Sequence, residues 1–203
     1  MIPNNAFTDP AVVTDFLPPI DGAYSRLRST VMGGIALNDP SQGRMYQQWV
    51  AYYESGNINV KIKDSHTIAF SLPATDVYTV SLAFDNNMGI VLAWIDTSNN
   101  ANLYYFDTLS SSYITRVFDD NTYGYTSCRV CVDNAHDYYI TNSDVIFAYI
   151  DFEGFLNYRQ QRDRYDIEYR VGGPVNGTLT KVGPTVGNRL QFAVQVIYNP
   201  GLA

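Results

Sequence analysis

Along this chain apolar residues gather in short blocks separated by polar turns, and one arrangement of blocks recurs three times. An apolar strand centred on Ala is followed by a polar turn and a second strand. The first copy is Trp49-Val50-Ala51-Tyr52-Tyr53 with Asn57 to Asp64, the second Val91 to Asp96 with Asn102 to Asp107, and the third Ile146 to Asp151 with Phe155 to Arg159. Each copy is preceded by a short strand closing on an aspartate: Asp39, Asp85 or Asp133. Asp85 lies 46 residues after Asp39, and Asp133 lies 48 after Asp85. A four-stranded propeller blade takes roughly 40 to 50 residues. The pattern therefore predicts an all-β chain with three four-stranded, propeller-blade-like repeats, an N-terminal extended arm and C-terminal strands.

Repeat 1 spans 32–75, with strands expected at Gly33 to Leu37, Tyr46 to Tyr53, Asn57 to Lys63 and Thr67 to Leu72. Asn59, Lys61 and Lys63 alternate there with Ile58, Val60 and Ile62, which predicts one wet face. Repeat 2 spans 76–120, with strands at Thr79 to Phe84, Gly89 to Ile95, Asn102 to Phe106 and Tyr113 to Phe118. Repeat 3 spans 125–171, with strands at Cys128 to Val132, Val145 to Ile150, Phe155 to Gln160 and Tyr165 to Arg170. Its inserted loop, 134–144, is the longest, and long loops on an ordered scaffold tend to carry binding residues. Residues 172–203 supply Thr178 to Val182 and Arg189 to Ile197, the second so apolar that it should be central or covered by a partner. Residues 32–203 then form a single β domain. Three blades are too few to close a propeller, so closure falls to a three-sided body, to the terminal segments as an extra sheet, or to subunit association.

Residues 1–31 differ from the rest. Asp9-Pro10, Pro18-Pro19 and Asp21-Gly22 break any long element, while Val12, Val13, Phe16 and Leu17 are apolar anchors. The segment reads as an assembly arm that wraps a neighbouring subunit, or else packs on its own domain.

Composition supports the β reading and narrows the function. Of 203 residues 46 % are hydrophobic and 14 % aromatic, with 17 Tyr, a mixture suited to pleated, half-buried surfaces. The net charge of −7 argues against specific nucleic-acid binding, which needs clustered cations to displace counterions from phosphates. The local exception is the run holding Arg159, Arg162 and Arg164. It reads either as a small-anion or RNA contact or as a solvated strand edge whose arginines pair with Asp163, Asp166 and Glu168. The second is favoured because charge runs are usually solvated faces. No apolar run is long enough for a membrane span and no secretory signal pattern is present. The protein is thus expected to be soluble and made without a cleaved secretory signal.

Catalytic and metal chemistry find little support. Cys128 and Cys131 have the spacing of half a zinc site, but on a strand they point to opposite faces, so both are expected to be packing residues. Asp39, Asp85 and Asp133 recur in equivalent places, as residues that cap turns do. Residues 85–87 and 119–121 lack the ligand spacing of a calcium loop. No catalytic, cofactor or metal residue is assigned, and the expectation is a protein that is not an enzyme. Tyrosines recur in every repeat, half of them core by alternation; Tyr138 and Tyr139 in the long loop are candidate ligand or partner contacts.

Several phrases resemble structural tail proteins of tailed-bacteriophage virions: Leu82 to Met88, Ala93-Trp94, Leu103 to Thr108, and Leu156 to Tyr165. The likeness covers roughly residues 80–170 and includes no catalytic signature. It implies a β-rich structural tail component, such as a tip, nozzle or baseplate part. Such a component would be a homo-oligomer with other virion proteins as partners, and would be located in the virion. The alternative reading is a host-surface, glycan-binding (receptor-binding) module.

Overall fold

The computed structural model describes residues 33–37, 46–62, 65–85, 89–119, 124–133, 144–175, 177–184 and 190–196. The arm anchors Val12, Val13, Phe16 and Leu17, together with Asp39, Tyr138 and Tyr139, lie outside the described residues. Among the described residues the fold is all-β, with no α-helix and one 3-10 turn, Gln161–Asp163. Among the described residues no helix is long and apolar enough to cross a membrane.

Strands β1 (Gly33–Leu37), β2 (Tyr46–Glu54), β3 (Asn57–Ile62) and β4 (Phe70–Pro73) form the first sheet. The second holds β5 (Val77–Phe84), β6 (Ile90–Asp96), β7 (Ala101–Asp107) and β8 (Ser112–Phe118). The third holds β9 (Tyr125–Val132), β10 (Val145–Asp151), β11 (Leu156–Gln160) and β12 (Tyr169–Gly172). Each is an antiparallel meander in chain order. The C-terminal strands β13 (Gly177–Pro184) and β14 (Leu190–Val196) pair as a fourth, two-stranded sheet.

Strands β4 and β12 start later than the alternation predicts. Ala69 N–H bonds the Val60 carbonyl at 2.9 Å only after a bend in which the Ser65 hydroxyl takes the Thr67 N–H at 3.0 Å. Tyr165, expected to open a strand, instead adopts a left-handed conformation in the turn after β11. Asn59, expected on a wet face, is buried, its side-chain carbonyl accepting the Ser71 hydroxyl at 2.9 Å. Asn102 and Asn157 occupy the same register in the other sheets, opposite Trp94 and Tyr149 as Asn59 is opposite Tyr52, and both are buried.

The sheets stack through their first strands: β1 on β5, β5 on β9, and β9 on β13. Side-chain hydroxyls join them. Ser81 of β5 accepts the Val130 N–H of β9 at 3.1 Å, and Ser127 of β9 accepts the Leu179 N–H of β13 at 2.9 Å. A second link repeats at the turn between second and third strands. Gly56, Asn99 and Gly154 are all left-handed there, and their carbonyls accept N–H groups of Ala74, Tyr125 and Val175, where the chain leaves for the next sheet. A Cβ on Gly124, which precedes one of these donors, would stand 2.6 Å from Asn99.

Burial follows the stacking. β10 is buried along its whole length. Val145, Phe147 and Tyr149 face the second sheet and Ile146, Ala148 and Ile150 the terminal hairpin, where Leu179, Val182, Phe192 and Val194 meet them. Cys128 joins the first of these clusters and Cys131 the second, both as free buried thiols. Burial pushes the Cys128 thiol up to about 12.

Replacing Phe147, fully buried and stacked on Phe118 at 5.1 Å, by Ala should cost about 3–5 kcal/mol, since truncating a buried aromatic leaves a cavity. The exposed Val117 changed to Ala should stay within about 0.5 kcal/mol. Urea unfolding of both variants tests the assignment. Neither cysteine should react with a maleimide in the native protein at pH about 8, whereas both should react after unfolding; labelling read by mass would show otherwise.

Candidate functional site

The arginine-rich segment singled out by the sequence folds into a turn that touches two sheets. After β11 the chain makes its 3-10 turn, and Arg164 and Tyr165 then take left-handed conformations at φ 52° and 60°. Each such non-glycine residue costs roughly 1–3 kcal/mol and persists only where its surroundings over-determine it. Here they do. Arg164 N–H bonds the Gln161 carbonyl at 2.8 Å and Tyr165 N–H the Gln160 carbonyl at 2.9 Å. The Tyr165 ring is fully buried, edge-on to Tyr105 at 4.8 Å.

Four guanidinium groups fix this turn. Arg159 is buried: its Nε donates to the Tyr149 hydroxyl at 2.9 Å, its Nη1 to the Tyr165 carbonyl at 3.1 Å, and its Nη2 to Glu168 at 3.3 Å. The Tyr149 hydroxyl donates in turn to Glu168, and burial together with that bond raises the Tyr149 phenol well above its usual value. Arg116 of β8 donates to the Arg164 carbonyl at 2.9 Å and to Asp166 at 2.6 Å. Arg164 reaches back to Asp107 of β7 at 3.0 Å, and Arg162 binds Asp144 at 2.7 Å and Asp133 at 3.0 Å. These last two pairings depart from the expected Asp163 and Asp166. Asp163 instead accepts the Tyr169 hydroxyl at 2.9 Å. The segment is a junction between sheets more than a solvated edge.

The carboxylates show the same use. Asp107 is pulled down to about 2 by the Arg164 guanidinium, with further hydrogen bonds from Ser110 and Leu109. Asp144 goes the other way, raised by burial despite Arg162. Asp85 accepts the Gly89 N–H at 2.7 Å and Asp133 the Asp144 N–H at 2.8 Å, the turn-capping role expected of the recurrent aspartates. A second device escaped the sequence reading. Asp96 takes the N–H groups of Ser98 and Asn100 and the side-chain amide of Asn102. Asp151 likewise takes the Phe155 N–H and the amide of Asn157. An Asp followed six residues later by Asn, in two repeats, was the legible signal.

Other chemistry is sparse among the described residues. Arg129, buried on β9, donates to the Cys128 carbonyl at 2.6 Å and the Thr180 carbonyl at 3.4 Å, and its burial lowers its basicity. No three His, Cys, Asp or Glu side chains come close enough to hold a metal ion. A cleft of about 350 Å³ lies where the third sheet meets the hairpin, lined by Thr126, Asp151, Phe152, Glu153 and Pro174 among others. Its Asp151 is engaged in the turn clasp just described. A third feature is aromatic: Tyr113, 43 % exposed, stacks on Tyr104 at 5.1 Å and 11°, and Tyr104 meets Phe70 of the first sheet at 5.4 Å.

No protein-family model matches the chain, and no curated protein or solved structure is similar enough to match it.

The Asp107–Arg164 pair makes an acid-sensitive contribution. A carboxyl held at about 2, against an ordinary value of 3.8, stabilises the fold above about 3.8 and loses that contribution as pH falls toward about 2. Asp107→Asn should therefore be less stable than the natural protein at neutral pH, and the gap should narrow through that window. Urea titrations across the pH series check this, and a gap independent of pH would contradict it.

Proposed function

We propose that this chain is a non-enzymatic structural subunit of a bacteriophage virion, a tail component of tip, nozzle or baseplate type that assembles with other virion proteins through its arm and sheet edges. In this reading the successive sheets are propeller-like blades and the protein works as a homo-oligomer. The observation that carries it is the use made of the charged groups. Arg116, Arg159, Arg162 and Arg164 and the carboxylates facing them hold sheets and turns together, and Asp85, Asp96 and Asp151 cap turns. A catalytic site needs a nucleophile, base or carboxylate pair left free to react; a scaffold needs its charges satisfied. The virion-like phrases at 80–170 and the net charge of −7, suited to a conduit wall that does not hold passing DNA, support the same reading.

The stacked Tyr104 and Tyr113 favour a second reading, a host-surface glycan-binding module, because a sugar ring stacks on an exposed aromatic face. Arg162 and Arg164, with side chains 56 % and 42 % exposed, and Tyr138 and Tyr139 are its further candidate contacts.

The two readings separate in one pair of measurements. For a structural subunit, mass spectrometry of gradient-purified particles should find the chain at a fixed ratio to the tail proteins, and a glycan array should give no saturable signal. Absence from purified particles would reject the first reading. Saturable glycan binding that falls when Tyr113, Tyr138 or Tyr139 is changed to Ala would establish the second.

A further inference from the structure

The terminal hairpin is half a sheet. Its β14 corresponds to the second strand of each complete sheet. Ala93 and Ala148 stand opposite Ser81 and Arg129 of their first strands, and Ala193 stands opposite Lys181. Phe147-Ala148 of β10 recurs as Phe192-Ala193. In the three complete sheets the second strand is paired on both sides, whereas among the described residues β14 pairs with β13 alone. Ala51, Ala93 and Ala148 are fully buried; Ala193 is exposed.

Beside the open edge of β14 lies an uncovered shelf. Tyr158 of β11 packs on Phe192 at 6.0 Å and stacks on Tyr169 of β12 at 5.1 Å. Both tyrosines are only half-buried, and Val171, two residues on from Tyr169, is 46 % exposed. In the preceding pair of sheets the outer strands are covered: Phe118 of β8 lies on Phe147, and Tyr105 of β7 on Tyr165. The open edge also lacks the features that discourage pairing. β4 is four residues long and ends in Pro73, β8 carries Arg116, and β12 is four residues long and carries Arg170. β14 has seven residues with no charge and no proline.

We infer that this corner receives residues 11–17 from a second copy of the chain as the third strand of the hairpin sheet. The inference rests on the arm reading proposed above and gives the arm a seat. Residues 11–17, Ala-Val-Val-Thr-Asp-Phe-Leu, lie between Pro10 and Pro18 and number seven, the length of β14. Their Val, Thr and Phe are strand formers. From Asp9 to Asp21 the arm carries three aspartates and no cation, and β14 carries no carboxylate that would repel them. The other long segment outside the described residues, 134–143, begins and ends at the hydrogen bond joining Asp133 and Asp144, which ties both its ends to the third sheet.

The donor is a second copy because, among the described residues, neither end face of the array meets a covering sheet. The arm leads into β1, in the sheet at the opposite end of the stack from β14. Residues 18–32, which join the segment to β1, number fifteen and reach about 50 Å when extended, so length alone would also let the chain's own arm arrive. A second copy whose first sheet stands on the hairpin brings its arm to within one sheet spacing, about 10 Å. That stacking also covers the half-buried Val50 and Tyr52 of the first sheet and the exposed Gln191, Ala193 and Gln195 of β14.

The test is hydrogen exchange of the alternate amides of residues 190–196 that face away from β13, read in the full chain beside its mass by light scattering. The natural protein should be an oligomer with these amides protected. Val12→Asp with Phe16→Asp should abolish the protection and yield a monomer with an unchanged far-ultraviolet spectrum, and Val171→Asp on the shelf should do the same. Protection of these amides in a monomer would overturn the inference in favour of the chain's own arm. An oligomer in which they exchange freely, or in which both variants leave protection intact, would overturn it outright. These measurements use the isolated protein, so their failure leaves the particle-composition test of the virion reading standing.

Discussion

A sheet with two apolar faces has to be covered twice, and most of this molecule follows from that constraint. β10 is buried over all seven of its residues, with Phe147 and Tyr149 on one side and Ile146 and Ile150 on the other. Fully burying one such side chain is worth about 1.5–3 kcal/mol, so losing either neighbour would expose several at once. The second sheet therefore covers one face and the hairpin β13–β14 the other. Leu179, Val182, Phe192 and Val194 of the hairpin shield Ile146 and Ile150 from water.

Backbone groups at the junctions then have to be satisfied where the ladder stops. Ser81 and Ser127 do this on the inner strands, and the carbonyls of Gly56, Asn99 and Gly154 do it at the outgoing turns. The charged groups work at longer range. Arg164 joins the turn after β11 to Asp107 in the second sheet, and Arg116 crosses in the opposite direction to Asp166. Two reciprocal pairs across one seam fix the rotation of one sheet on the next. An exposed pair such as Arg116–Asp166 contributes at most about 1 kcal/mol, so their effect lies in geometry more than in stability.

Much of this was legible in the chain. The spacing of Asp39, Asp85 and Asp133 marked off segments that each fold as one four-stranded sheet, and alternation located most strands, because those strands pair with neighbours that keep their period. It failed where side-chain chemistry bent the backbone: at Ser65, which delays β4, and at Arg164 and Tyr165, whose left-handed turn delays β12. Alternation also misplaced Asn59, because a polar residue inside a sheet looks solvated until its hydrogen-bond partner is known. The arginine segment was recognised as a cluster, and of the three acceptors expected for its arginines, Asp163, Asp166 and Glu168, the last pairs with Arg159. Asp107, Asp133 and Asp144 were not foreseen as acceptors, since pairing at separations of 18 to 57 residues, within the third sheet for Asp133 and Asp144 and across sheets for Asp107, leaves no local trace.

The array has a direction, and the direction limits how copies can meet. Its first sheet turns outward a face carrying Val50, Tyr52 and Lys61, while its last turns outward Gln191, Ala193 and Gln195. The two end faces differ, so stacking one on the other is a heterologous contact and cannot be closed by a two-fold axis. Such a contact repeats until the rotation between copies completes a circle, giving a ring, or continues as a filament if it does not. An arm anchored on the neighbour's open edge would favour one rotation over others, because a strand seated beside β14 has a register as well as a position.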